Sequence, residues 1–215
     1  MVLNALKNGA GLKVKVCGIT NPEDALLCIN EGADALGFIF AGTSPRYITP
    51  GGAAEITEQL PPLVMKIGVF VDEDPEKINA IALQANLNAV QLHGNESPGI
   101  AKQINLPVIK AFRVKSDFDF SILRNYKGVH FLLDSYSPDR HGGTGTTFDW
   151  DTIPLGYRNS IILAGGVTAA NAVEIYYKIY PAAVDVSSSL EIFPGRKDEA
   201  KVKEFFKVLK KIRNR

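Results

Sequence analysis

The chain of 215 residues is short of several things, and each shortage excludes a class of protein. No run of about 18 apolar residues, the length that crosses a bilayer, occurs in it. The opening stretch has no charged segment followed by an apolar run, so neither a membrane partner nor a secretory signal is expected. The composition Asn8-Gly9-Ala10-Gly11 instead reads as a loose leader over residues 1–12, ahead of one domain over 13–215. Two cysteines, Cys17 and Cys28, cannot build a disulfide framework, which suits a reducing cytoplasm. The three histidines, His93, His130 and His141, are scattered, and no His, Cys, Asp or Glu cluster has metal-ligand spacing. Charge of one sign is also missing, since 24 Lys and Arg face 23 Asp and Glu, so nucleic acid is not an expected partner. Lys201, Lys203, Lys207, Lys210, Lys211, Arg213 and Arg215 do gather near the end, where they read as the solvated end of a helix, favoured by its dipole. No Pro/Gly/Ser-rich linker divides the chain.

What is present is a regular alternation of short apolar, β-branched runs with longer segments of helical period. Eight strands are predicted: Val14–Cys17, Ala35–Phe40, Met65–Val71, Ala89–Leu92, Val108–Phe112, Val129–Asp134, Ser160–Ala164 and Ala183–Ser187. Each is nearly all apolar, as strands buried on both faces are. Helix starts are marked by Asn21-Pro22-Glu23-Asp24, Asp74-Pro75-Glu76 and Ser97-Pro98, each with a capping side chain followed by proline at the first helical position. Thr168–Lys178 and Asp198–Lys211 are expected as the last two helices, while the segments after strands five and six are weakly helical. Eight βα units in about 200 residues make an α/β protein consisting of a single (β/α)₈ barrel. A doubly wound sheet would usually carry Gly-x-Gly-x-x-Gly after its first strand, and Cys17-Gly18-Ile19-Thr20 is not that.

In such a barrel the chemistry sits where strands end, so the polar residues that close each apolar run are the candidates. Cys17 ends strand one at the tight turn of Gly18; it is either a thiol facing the barrel mouth or a small packed hydrophobe. Cys28 lies on the apolar face of helix one with Ala25 and Ile29 and is read as packing. Ser44-Pro45-Arg46-Tyr47 stiffens a loop that carries either a solvent-facing arginine or a guanidinium suited to gripping a carboxylate. Asp134 follows the apolar run of strand six, as a partly desolvated general acid or as a loop anchor. Gly142-Gly143-Thr144-Gly145 has the hinge glycines of a mobile loop. Gly165 and Gly166 after strand seven, and Ser187 and Ser188 after strand eight, occupy the two turns that recur as a phosphate site in this fold, against the plainer reading of tight turns. His93 follows strand four and faces the barrel mouth, and is read there in a structural or backbone-anchoring role.

Taken together, Lys15-Val16-Cys17-Gly18-Ile19-Thr20, Ser44-Pro45-Arg46-Tyr47, Gln91-Leu92-His93-Gly94, Leu133-Asp134-Ser135, Gly142-Gly143-Thr144-Gly145, Phe148-Asp149-Trp150 and Leu163-Ala164-Gly165-Gly166-Val167 resemble the phosphoribosylanthranilate isomerases of tryptophan biosynthesis, from about Lys13 to the end. The resemblance implies a (β/α)₈ barrel that performs an Amadori rearrangement of N-(5-phosphoribosyl)anthranilate without a cofactor or metal. It implies Cys17 as general base, Asp134 as general acid and Arg46 as the holder of the anthranilate carboxylate. Gly165, Gly166, Ser187 and Ser188 match the phosphate loops, and Asp185, in the same strand-eight run, is taken with them as substrate-binding. A small phosphorylated substrate is the implied partner, for a cytoplasmic monomer or homodimer. The histidine-pathway isomerases are similar but have Asp where this chain has Cys17. A departure follows strand eight, where Ser189-Leu190-Glu191 stands in place of the family's common Gly-Val-Glu; if that turn needs a positive φ, Ser189 carries a steric cost. A thiolate base also requires a source of positive potential, for which the nearby turns are the sequence-level candidates.

Overall fold

The computed structural model describes residues 12–135 and 149–213. Eight parallel strands close into a barrel in sequence order: β1 (Lys13–Cys17), β2 (Ala35–Ile39), β3 (Met65–Phe70), β4 (Ala89–Leu92), β5 (Val108–Val114), β6 (His130–Ser135), β7 (Ile161–Ala164) and β8 (Ala183–Val186). Closure comes from β8 pairing with β1, which sets Lys15 directly opposite Asp185. Each strand lies within a few residues of its predicted position because the apolar runs are interrupted by turn residues on both sides. Alternate side chains of the strands point inward, where Ala35, Ile67, Ala89, Ile109, Ala111, Leu132 and Ala164 form the inner core. The other faces pack against the helices in a larger core that includes Phe38, Phe70, Phe205 and Phe206, and Leu12 is already part of it.

The helices between the strands are α1 (Pro22–Glu31), α2 (Pro50–Thr57), α3 (Pro75–Gln84), α4 (Pro98–Ala101), α5 (Leu155–Arg158), α6 (Ala172–Lys178) and α7 (Glu199–Arg213). Their starts follow the capping signals: Asn21 accepts from the Asp24 N–H, Asp74 from Glu76 and Lys77, and Ser97 from Ile100. Thr49-Pro50 follows the same logic at α2. One expectation is corrected. The helix predicted from Thr168 begins only at Ala172, because Asn171 folds back, its Oδ1 accepting from the Thr168 N–H at 2.8 Å and its Nδ2 donating to the Gly166 carbonyl at 2.8 Å. The last helix lies where it was expected, at Glu199–Arg213, but the turn after β8 reaches it indirectly. That segment forms a 3₁₀ turn (Ser188–Leu190), then an antiparallel hairpin of β9 (Glu191–Phe193) and β10 (Arg196–Lys197), and only then α7.

Within the first turn of α1, Asp24 is buried and does more than complement a helix dipole. Its Oδ2 accepts from the Lys197 N–H at 2.7 Å, pinning the hairpin to α1. Another internal tie lies under β4 and β5, where Lys110 and Glu96 form a 2.9 Å ion pair with both side chains only 2% exposed. Lys110 also donates to the Gly94 and Ala111 carbonyls, and Glu96 accepts from the Asp72 and Gly94 N–H groups. This network fixes the backbone that carries His93.

Candidate active site

At the carboxyl ends of the strands opens a cavity of about 540 Å³. Cys17, Asp134, Arg46, His93, Gln91, Asp185 and the turns after β7 and β8 line it, so all the site residues expected from the sequence come to one place. The hinge glycines Gly142, Gly143 and Gly145, with His141, lie outside the described residues. Among the described residues, no group of three or more His, Cys, Asp or Glu side chains is arranged to hold a metal.

Cys17 is the last residue of β1 and is 6% exposed. Burial pushes its thiol above the ordinary cysteine value, and although the Lys15 ammonium pulls it down in part, the net direction is up. Cys28 is fully buried on α1; burial pushes it up to about 12 against a smaller pull from Lys197, and it is a packing residue as expected. The largest source of positive potential at Cys17 is Lys15 on its own strand, two residues earlier, with a smaller one from Lys197. Lys15 Nζ sits 2.8 Å from Asp185 Oδ2. Burial pulls this lysine down, but Asp185 and Cys17 outweigh it, and the net direction is up.

Asp134 lies across the cavity on β6, with a side chain 29% exposed. His93 Nε2 stands 3.4 Å from its Oδ2, and Gln91 Nε2 lies 2.7 Å from His93 Nδ1. With the Gln91 amide donating to Nδ1, the ring proton is assigned to Nε2 and faces the Asp134 carboxylate. His93 thus does face the mouth, as its position after strand four indicated, and there it contacts a candidate catalytic carboxyl. Gln91 Oε1 and Asp185 Oδ1 are buried without a partner among the described residues, and both residues line the cavity. Buried acceptors of this kind are suited to the hydroxyl or amine donors of a bound molecule.

Arg46 is not a free loop arginine. Its Nε donates to both carboxylate oxygens of Glu191 at 2.9 and 3.0 Å, and Nη2 donates to Oε2 at 2.6 Å. Burial alone would push Glu191 up, but Arg46 and Lys197 more than offset it, so its carboxyl is held below the ordinary value. Lys197, fully buried, donates to Glu191 Oε1 at 2.9 Å and to the Cys17 carbonyl at 2.7 Å. A chain of alternating charge thereby locks the guanidinium, leaving its Nη1 edge without an acceptor among the described residues. Gly18, at φ +78°, is required here twice over, since a Cβ would lie 2.6 Å from Arg46 Cδ as well as straining the backbone.

The two turns form a paired surface. Gly165 and Gly166 have φ of +77° and +71°, and a Cβ on Gly165 would collide with the Ser135 hydroxyl and the Asp134 carboxylate. Among the described residues no acceptor takes the backbone N–H groups of Gly166, Val167, Ser188 or Ser189. Ser187 Oγ donates to the Cys17 carbonyl at 3.1 Å, which ties the β8 turn to β1. Ser189 does not have a positive φ, so the steric cost foreseen for it does not arise. Its hydroxyl donates to the Val167 carbonyl at 2.7 Å and joins the two turns.

A closed parallel barrel whose carboxyl-end cavity brings a thiol, a carboxyl group and a locked guanidinium together defines a (β/α)₈-barrel enzyme with a polar small-molecule site. The family profile of N-(5'-phosphoribosyl)anthranilate (PRA) isomerase matches residues 14–208. The N-(5'-phosphoribosyl)anthranilate isomerase of Pelobacter propionicus is 48% identical over 204 residues, covering 94% of this chain and 98% of that protein. The crystal structure of phosphoribosyl anthranilate isomerase from Thermotoga maritima superposes with a TM-score of 0.86 at 45% identity, covering 93% and 99% of the two chains. A crystal structure of such an isomerase in complex with reduced 1-(o-carboxyphenylamino)-1-deoxyribulose 5-phosphate superposes with a TM-score of 0.83 at 43% identity, covering 93% and 99%. The chain belongs to the N-(5'-phosphoribosyl)anthranilate isomerase family.

Proposed function

We propose that Cys17 and Asp134 carry the two proton transfers of the reaction this family performs. The protein is an isomerase of tryptophan biosynthesis that converts N-(5-phosphoribosyl)anthranilate to 1-(2-carboxyphenylamino)-1-deoxyribulose 5-phosphate. The observation that carries the residue assignment is that the Cys17 thiol and the Asp134 carboxyl group line the same cavity, beside two turns with uncommitted N–H groups.

Asp134 gives a proton to the ribose ring oxygen as the bond from C1′ to that oxygen breaks, and the anilino nitrogen lone pair forms the Schiff base. Cys17, as thiolate, removes the proton from C2′, and the electron pair of that C–H bond moves to neutralise the iminium, leaving an enolamine. Tautomerisation to the ketone returns a proton to C1′ and completes an isomerisation with no net change in atoms or electrons. Each proton moves between groups held in place, the condition under which general acid–base catalysis is efficient. The open Nη1 edge of Arg46 faces the anthranilate carboxylate, Asp185 Oδ1 accepts from a substrate hydroxyl, and the 5′-phosphate lies against the N–H groups of residues 166, 167, 188 and 189. The small phosphorylated substrate is the partner in this reading, in a cytoplasmic monomer or homodimer.

The test is turnover of freshly made phosphoribosylanthranilate, followed by loss of its fluorescence. Cys17→Ala and Asp134→Asn each lower kcat by about 10²–10⁴ with the fold intact by circular dichroism. Near-normal turnover by either folded variant removes that residue from the mechanism.

A further inference from the structure

The barrel interior contains a cation for which the reaction above has no role. Lys15 and Cys17 are two apart on β1, so both side chains point inward, and Lys15 is only 2% exposed. A lysine is seldom buried without a function or a partner. Here Asp185 faces it in direct register across the β1 and β8 seam at 2.8 Å. On the other side, Gly37 of β2 pairs with Cys17. A Cβ at Gly37 would lie 2.7 Å from Cys17 Sγ and 3.1 Å from Lys15 Nζ. Sulfur and ammonium therefore converge on the space that glycine leaves, no more than about 6 Å apart, within the range over which a buried charge moves a neighbour's titration.

We propose that Lys15 is the positioning residue of the thiol: its ammonium, anchored by Asp185, supplies the positive potential that stabilises the Cys17 thiolate against its burial. The inference rests on the reading of Cys17 as the base. The other charged groups around the sulfur each have further partners, and Lys197 adds only a smaller pull in the same direction as Lys15. Lys197 of β10 binds the Cys17 carbonyl and Glu191, Arg46 is bidentate with the same Glu191, and Asp134 of β6 faces His93. Burial and Asp185 both push the thiol up, and Lys15 is the largest influence in the opposite direction. Gly37 is part of the device, because any larger residue would wedge sulfur and ammonium apart.

The experiment measures alkylation of Cys17 by iodoacetamide in the ligand-free protein from about pH 6 to 10, with the modified peptide quantified by mass and the fully buried Cys28 as internal control. Lys15→Met slows alkylation at pH 7 about tenfold and reaches its half-maximal rate at correspondingly higher pH, while Lys15→Arg, which keeps the charge, returns most of the rate. Because Lys15→Met leaves Asp185 buried and unpaired, the double variant Lys15→Met/Asp185→Asn is measured beside it; it removes the pair together, and its profile also moves to higher pH. A purely structural lysine would change stability but leave the profile of the folded protein where it was. An unchanged profile in the double variant overturns the proposal. The two readings fail separately: if Cys17→Ser turns over normally while the alkylation profile still responds to Lys15, the base assignment falls and the effect of Lys15 on the thiol stands.

Discussion

Ser189 stands where the family commonly has glycine, and its hydroxyl bond to the Val167 carbonyl is the one direct side-chain tie between the two turns among the described residues. Ser189→Ala removes that bond alone, worth about 0.5–1.5 kcal/mol for an ordinary hydrogen bond. Ser189→Gly removes it and also frees the backbone, which adds roughly 0.5–1 kcal/mol. The sum, about 1–2.5 kcal/mol, falls on the relative placement of the turns, and every 1.4 kcal/mol spent on reordering them before binding lowers affinity about tenfold. Part of it is lost from global stability instead, so the expected result is a two- to fivefold loss of affinity for the product in Ser189→Ala and about a three- to twentyfold loss in Ser189→Gly. Calorimetric titration with the product measures both, and a product analogue without the 5′-phosphate serves as control, losing little further between the three proteins. Equal or tighter phosphate-dependent binding by Ser189→Gly would refute the idea that this hydroxyl organises the turns.

Arg46→Ala raises KM roughly 10- to 100-fold with a smaller fall in kcat, since the anthranilate carboxylate is charged in ground and transition states alike; steady-state kinetics with an unchanged KM would place the carboxylate elsewhere. Lys110→Met strands Glu96 in the interior and costs about 3–5 kcal/mol, lowering Tm by roughly 6–20 °C, and Lys110→Met/Glu96→Gln recovers part of this in a thermal melt; a shift of under about 2 °C would show that the pair is dispensable. Glu191, whose folded value is lowered, contributes stability that is fully present above its unfolded value of about 4.3 and is lost as pH falls through the folded one. The Tm gap between Glu191→Gln and the unaltered protein is therefore widest near pH 7 and narrows towards pH 3; a gap independent of pH would contradict the linkage.

Much of the barrel was legible from local pattern. Asn21, Asp74 and Ser97 mark helix starts because a cap is satisfied within three residues, and the eight apolar runs mark strands because burial on both faces leaves no alternation. The expectation failed where a side chain found a better partner than the helix. Asn171 turned back to Thr168 and Gly166, and the segment expected to be the first turn of α6 became a turn outside the helix. The hairpin of β9 and β10 was missed because three- and two-residue strands carry too few residues to show a period.

By itself the sequence determined which residues end each strand, and so that Cys17, Asp134 and the two turns would share one rim; a closed parallel barrel admits no other place for them. It also determined that Lys15 and Cys17 point the same way, since side chains two apart on a strand share a face. Only the tertiary structure decided what stands beside them. Asp185 meets Lys15 through the register of the closing seam, Arg46 meets Glu191 across 145 residues of chain, and Lys197 reaches the Cys17 carbonyl from a hairpin that has no local signature. Periodicity specifies a face but not the neighbour across it, and the charge that acts on a thiol is set by distance in space, over a few ångströms that the spacing of residues along the chain does not encode.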